Sequence, residues 1–157
     1  MEARLEAQKV SPAAYQAMLG LEMFVRKQSK QEPALPHLVM MRASQINGCA
    51  YCLDMHSKDA RAEGETEQRL YALSAWEETP FFTDRERVAL ALTEAITLVR
   101  EGHVPDAVYE RAAKSFSEEE LVNLTVAVIT INGWNRLAIT FRFLPGEYQP
   151  GKEIKLR

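Results

Sequence analysis

Apolar and polar residues alternate along this chain with a helical period almost from end to end. Ser11-Pro12 sets an N-cap residue before a proline at the first helical position. Tyr15, Met18, Leu19, Met23 and Phe24 then form the apolar face of a helix running to about Lys27. The polar stretch from Gln28 to Glu32 reads as a loop. Pro33 and Pro36 begin a second helix, with Leu38, Val39, Met41 and Ile46 on its apolar side. Asn47-Gly48 ends that helix and caps a third from about Cys49 to Glu63, which Gly64 stops. Thr66 caps a fourth bearing Leu70, Tyr71, Leu73 and Trp76, ending before Pro80. Thr83-Asp84-Arg85-Glu86 is a capping box for a fifth, which carries Val88, Leu90, Leu92, Ile96 and Val99 and closes at Gly102. Pro105-Asp106 opens a short sixth. Ser117-Glu118-Glu119-Glu120 is a second capping box, and opens the most apolar helix. Its stripe is Leu121, Leu124, Thr125, Val128, Asn132, Asn135 and Ile139.

One run resists this reading. Val126-Ala127-Val128-Ile129-Thr130-Ile131 is rich in β-branched residues and taken alone would suit a strand. The capping box ahead of it and the length of the pattern favour helix. No internal repeat and no alternating strand pattern occurs. The fold class is therefore all-α, a single compact domain of six to eight helices over residues 11–142. Residues 1–10 form an N-terminal extension, and residues 143–157, with Pro145-Gly146 and Pro150-Gly151, an irregular polar tail.

Composition narrows the function. A chain of 157 residues that is 46% hydrophobic supports one core and not two. A net charge of −3 and a pI near 5.7 disfavour nucleic acid or an anionic membrane as the main partner. No apolar run reaches the ~18 residues of a membrane span, and the N-terminus has no apolar signal core. The expected location is cytoplasmic. There a close cysteine pair is redox-active or metal-binding more often than a structural disulfide.

Cys49 and Cys52 are the only cysteines, and His56 follows four residues after the second. On a helix these positions fall at i, i+3 and i+7, one stripe of one face. A helix N-terminus lowers a thiol pKa. Cβ atoms at i and i+3 lie about 5–6 Å apart, and a disulfide needs about 3.5–4.5 Å. A first turn that loosens slightly can close the bridge, which suits a reversible disulfide. His56, one turn beyond Cys52, is placed to take its proton or to pair with its thiolate.

Two other readings stand beside this one. The cysteines can be small core hydrophobes, or half of a zinc site with His56 and a fourth ligand from His37, His103, Asp54 or water. A second Cys-x-x-Cys is absent, and the motif fits neither covalent haem nor a thioredoxin frame, so neither metal nor cofactor is assigned. Asn132 and Asn135 need partners if buried and are read as fixing helix register. Tyr51 and Trp134 are read as packing residues, and His103 as a helix C-terminal cap.

From Arg42 the text runs Ala43-Ser44-Gln45-Ile46-Asn47-Gly48-Cys49-Ala50-Tyr51-Cys52-Leu53-Asp54-Met55-His56-Ser57-Lys58-Asp59-Ala60-Arg61. With Gly64-Glu65-Thr66, Thr79-Pro80-Phe81-Phe82-Thr83 and Ile131-Asn132-Gly133-Trp134-Asn135-Arg136, it resembles the alkyl hydroperoxidase D-like (AhpD-like) branch of the carboxymuconolactone decarboxylase superfamily over about residues 11–142. The resemblance implies an all-helical subunit in homotrimers or homohexamers, with the active site near a subunit interface. It implies a thiol peroxidase in which Cys52 attacks a hydroperoxide, Cys49 condenses with the sulfenic acid, and an external dithiol reduces the disulfide. Helix-dipole logic alone points instead to Cys49 as the more acidic thiol.

One departure stands out. In the better-studied peroxidases of the family this chain resembles, a glutamate twelve residues before the first cysteine passes protons through the histidine, and here that position is His37. A histidine relays protons near neutral pH but lends His56 no fixed negative charge. Glu94, among Ala91, Leu92, Ala95 and Ile96, is a second candidate for the relay, its competing role being an ion pair with Arg42 or Arg136. The alternative function is a low-turnover redox-sensing or disulfide-exchange oligomer. Lactone decarboxylation would leave the cysteine pair idle.

Overall fold

The computed structural model describes residues 2–28, 32 and 34–151. The α-helices are α1 (Ala7–Val10), α2 (Pro12–Gln28), α3 (Ala34–Asn47), α4 (Ala50–Ala62), α5 (Glu67–Ala72), α6 (Asp84–Thr97), α7 (Val99–Gly102), α8 (Asp106–Ser115) and α9 (Glu118–Phe141), with a 3-10 helix at Leu73–Glu78. No strand occurs among the described residues, and the all-α expectation holds. Two of the helices, α1 and α7, are single turns; the other seven are those the sequence pattern predicts. Pro33, assigned to a helix start, lies outside the described residues, as does the tail beyond residue 151.

The hub is α3, which packs on α4, α6 and α9. Its consecutive buried residues Leu38, Val39, Met40 and Met41 point into different parts of the core. Val39 meets Val88, Leu92, Leu124 and Val128. Met40 and Ala43 meet the two cysteines, Ala127 and Ile131. Leu38 and Met41 meet Ala60, Leu73, Trp76 and Leu90. An apolar residue at nearly every position suits a helix covered on several sides.

Local signals hold well at the helix ends. Thr83 with Glu86 and Ser117 with Glu120 form complete capping boxes. Two predicted helices are interrupted. The fifth breaks at Leu98 (φ −96°, ψ 30°), beside buried Thr97, whose Oγ1 accepts from Asn132 Nδ2 at 3.0 Å. The chain then makes the single turn α7, and His103 takes its C-cap. The fourth passes into the 3-10 helix, which kinks at Ala75. Arg87 donates there to the Trp76, Glu77 and Thr79 carbonyls, each at 2.9 Å.

The face of α2 also departs from expectation. Met23 and Phe24 are exposed, and the buried residues are Tyr15, Glu22 and Val25. With half-buried Met18 and Leu19 these follow the 3.6-residue period. A glutamate therefore occupies a core-facing position.

The tail is irregular to residue 151, as expected, but it is fastened to α4. Lys58 Nζ donates to the Gly146 and Tyr148 carbonyls at 3.2 and 3.1 Å. Gly146 N–H donates to Asp54 Oδ2 at 3.0 Å, and the Tyr148 hydroxyl to Asp59 Oδ1 at 2.6 Å. Among the described residues no helix is long and apolar enough to cross a membrane.

Candidate functional site

The site is built at the junction of α3 and α4. Gly48 adopts φ +68°, a conformation that costs glycine little. Its N–H donates to Gln45 O at 3.3 Å and the next N–H, of Cys49, to Ser44 O at 3.0 Å. This pair of bonds is the Schellman closure of a helix C-terminus. Cys49 is thereby held by the end of α3 while serving as the N-cap of α4. Cys52 follows in the first turn. Asn47, expected as the cap, instead turns its Nδ2 to Asn132 Oδ1 (3.0 Å) and Asn135 Oδ1 (2.8 Å) on α9.

Both thiols are free, and each is 1% exposed. The Cys52 thiol hydrogen bond is the main cause that brings Cys49 down to about 7, against the effect of burial; the Cys52 and Tyr51 amides and the Asn135 side chain assist. Cys49 makes no full capping hydrogen bond, so the amides act as oriented dipoles. Cys52 is pushed up by its hydrogen bond to Cys49, by burial and by the Cys49 charge, and the Glu22 charge adds to this. Ionisation of the pair is thus favoured at Cys49, with the proton kept on Cys52. Helix-dipole logic also points to Cys49 as the more acidic thiol, the direction in which the two shifts differ.

His56 is fully buried, and burial pushes it down to about 4; Asp59 opposes this, and the His37 and Arg26 charges add to it. The imidazole is neutral near pH 7, so the thiolate–imidazolium pair considered from sequence is not favoured. Its Nε2 has no hydrogen-bond partner.

Two cavities flank these groups. One, of about 510 Å³, is lined by His37, His56, Asp59 and Tyr148 together with Glu22 and Arg26. The other, of about 40 Å³, lies beside Cys52 between Tyr15, Leu19, Met55, Trp134 and Phe143, again with Glu22 and Arg26. Tyr15 meets Trp134 edge-on at 5.1 Å, and Tyr51 meets Phe143 at 5.4 Å. The residues read as packing therefore pack, and Trp134 also walls the thiol cavity.

The structure sets Cys49 and Cys52 in one buried cluster and puts His56 with His37 on the larger cavity, where His37 Nε2 lies 3.0 Å from Glu63 Oε2. Glu94 is elsewhere engaged. Its Oε1 accepts from Arg42 Nε and Trp76 Nε1, both at 2.7 Å, and it lines neither cavity. That is the ion-pair role weighed from sequence. Two polar residues near the thiols carry more than the sequence suggests. Asn135 does fix register, donating to Ser44 Oγ at 3.0 Å, but it also lowers both thiols. Glu22 was missed; its signal was the spacing from Tyr15 and Leu19. Among the described residues no group of three or more His, Cys, Asp and Glu could hold a metal ion.

The chain is similar in sequence and fold to several known proteins. A model of the carboxymuconolactone decarboxylase family matches residues 12–95. The uncharacterised Bacillus subtilis protein YdfG is 42% identical over 139 residues, 88% of this chain and 94% of that one. A crystal structure from Agrobacterium tumefaciens, of a protein of unknown function suggested to be the antioxidant defence protein AhpD, is 41% identical. It covers 94% of this chain and 100% of its own, with a TM-score of 0.89. The debrominase Bmp8 shares the fold at 20% identity, over 89% of this chain and 75% of its own, with a TM-score of 0.79.

Proposed function

Since the chain belongs to the carboxymuconolactone decarboxylase family, with an AhpD-like fold, we propose that it is a thiol-dependent peroxidase acting on organic hydroperoxides. The observation that carries this reading is the asymmetric dithiol: an acidified Cys49 hydrogen-bonded to a Cys52 that faces a small, largely apolar cavity. The cavity at Cys52 has room for the hydroperoxide group, and its aromatic and aliphatic walls favour an organic over a strongly hydrated substituent.

In this scheme Cys52 gives up its proton and its sulfur attacks the O–O bond. One oxygen leaves as the alcohol, and the other remains as the Cys52 sulfenic acid. The Cys49 thiolate attacks that sulfur, the S–S bond forms, and hydroxide leaves and is protonated to water. An external dithiol then exchanges with the disulfide, becomes oxidised itself, and returns both thiols. His56 stays neutral and exchanges protons through the larger cavity.

The enzyme acts in the cytoplasm as a homotrimer or homohexamer. Exposed Met23, Val122 and Ile129 on α2 and α9 support an assembled state.

Cumene hydroperoxide consumption with a dithiol reductant tests the reading. Cys52→Ser is expected to abolish it. Cys49→Ser is expected to stop after one turnover, with a sulfenic acid that dimedone traps on Cys52. No consumption by the unsubstituted chain, across several hydroperoxides and dithiols, would leave the redox-sensing or disulfide-exchange role instead.

A further inference from the structure

Glu22 and Arg26 are the residues that line both cavities, the one at Cys52 and the one at His56. The Glu22 side chain is 10% exposed, whereas that of Arg26 is 58% exposed. Their contact, Arg26 Nε to Glu22 Oε1 at 2.9 Å, is an ordinary i, i+4 pair with one end in solvent. Such a pair gains little, and desolvating a carboxylate costs more. An apolar residue at position 22 would continue the Tyr15–Leu19–Val25 stripe without that cost. The glutamate thus stands against the packing preference of its own helix. Its position between the cavities suggests the reason.

The dithiol presents a transport problem. Both sulfurs are 1% exposed, and Cys49 lines neither cavity. Protons released and consumed during peroxide reduction must therefore pass through the cavity at Cys52. That cavity, about 40 Å³, has room for a water molecule or for the hydroperoxide group itself. Glu22 lines this cavity with Cys52 and also lines the larger one with His56, whose buried Nε2 has no partner.

We infer that Glu22 is the proton carrier of the dithiol, linking Cys52 to His56 and solvent. The inference rests on the peroxidase reading. As the Cys52 sulfur attacks the O–O bond, its proton passes to the Glu22 carboxylate. Glu22 returns that proton to the departing alkoxide, which leaves as alcohol. When Cys49 later displaces hydroxide from the sulfenic acid, the proton that converts it to water enters from the larger cavity by way of His56 and Glu22. The carboxylate ends each cycle as it began, and Arg26 keeps it aimed between the cavities.

Steady-state turnover of cumene hydroperoxide with a dithiol is measured for the unsubstituted chain and for Glu22→Gln, Glu22→Asp and Glu22→Ala. Glu22→Gln is expected to lower kcat by about 100-fold with KM for the peroxide unchanged and the thermal midpoint preserved. Glu22→Asp should recover part of that loss. Formate, a carboxylate small enough for the larger cavity, should raise the kcat of Glu22→Ala and leave the unsubstituted chain unaffected. Full turnover by Glu22→Gln overturns the inference alone. So does a loss that neither aspartate nor formate relieves, because a structural role then accounts for it. An inactive unsubstituted chain overturns the peroxidase reading and this inference together.

Discussion

His56 is a histidine that the fold keeps unprotonated. The unfolded chain takes up a proton there near the ordinary 6.5, the folded chain only near 4. Between those values the unfolded state holds more protons, so stability falls as pH falls through the window. The difference amounts to something on the order of 3 kcal/mol. Urea unfolding of the reduced protein above pH 6.5 and near pH 4 should show a steep loss, and His56→Gln should flatten it. Equal slopes for the two proteins would show that His56 is not desolvated. At this scale the sequence was legible where chemistry is concentrated in one stretch, as in Cys49, Cys52 and His56. It was less so for Asn135 and Glu22. Asn135 meets Ser44 across 91 positions, and Glu22 reads as an exposed charge until α2 is seen to turn it inward.

Helix ends were the most readable elements, because a cap is decided by residues three or four positions apart. Thr83 with Glu86, Ser117 with Glu120 and the stop at Gly64 all behave as their sequence implies. The breaks at Leu98 and Ala75 were not readable, because one adjoins an Asn132 contact and the other an arginine from α6. Gly48 joins the two cases: a local signal that sets the geometry of the site. A side chain there would meet nothing within 4 Å, so the cost of Gly48→Ala is conformational alone, about 1–2 kcal/mol. Thermal unfolding should register that loss. Cys49 alkylation should also become less favourable at neutral pH, because its amide would no longer be fixed at the end of α3. A variant as stable as the parent would mean that the junction tolerates another backbone path.

For the molecule as a whole, the pattern gave the helix inventory but not the arrangement around α3, nor the docking of residues 143–151 on α4. Those contacts join segments 88 to 92 positions apart and leave no local periodicity. Tyr148 and Gly151 line the His56 cavity and Phe143 the thiol cavity, so the tail roofs the site. Deleting residues 145–157 should speed iodoacetamide alkylation of the reduced protein several-fold while α3 and its three core clusters stay folded. Unchanged alkylation would mean that this roof does not control access. The roof also has a consequence for synthesis. It leaves the ribosome about ninety residues after the cysteines, roughly ten seconds at ordinary elongation rates. For that interval the nascent chain carries its dithiol without this roof, open to any oxidant at the exit tunnel, until residues 143–151 emerge to cover it.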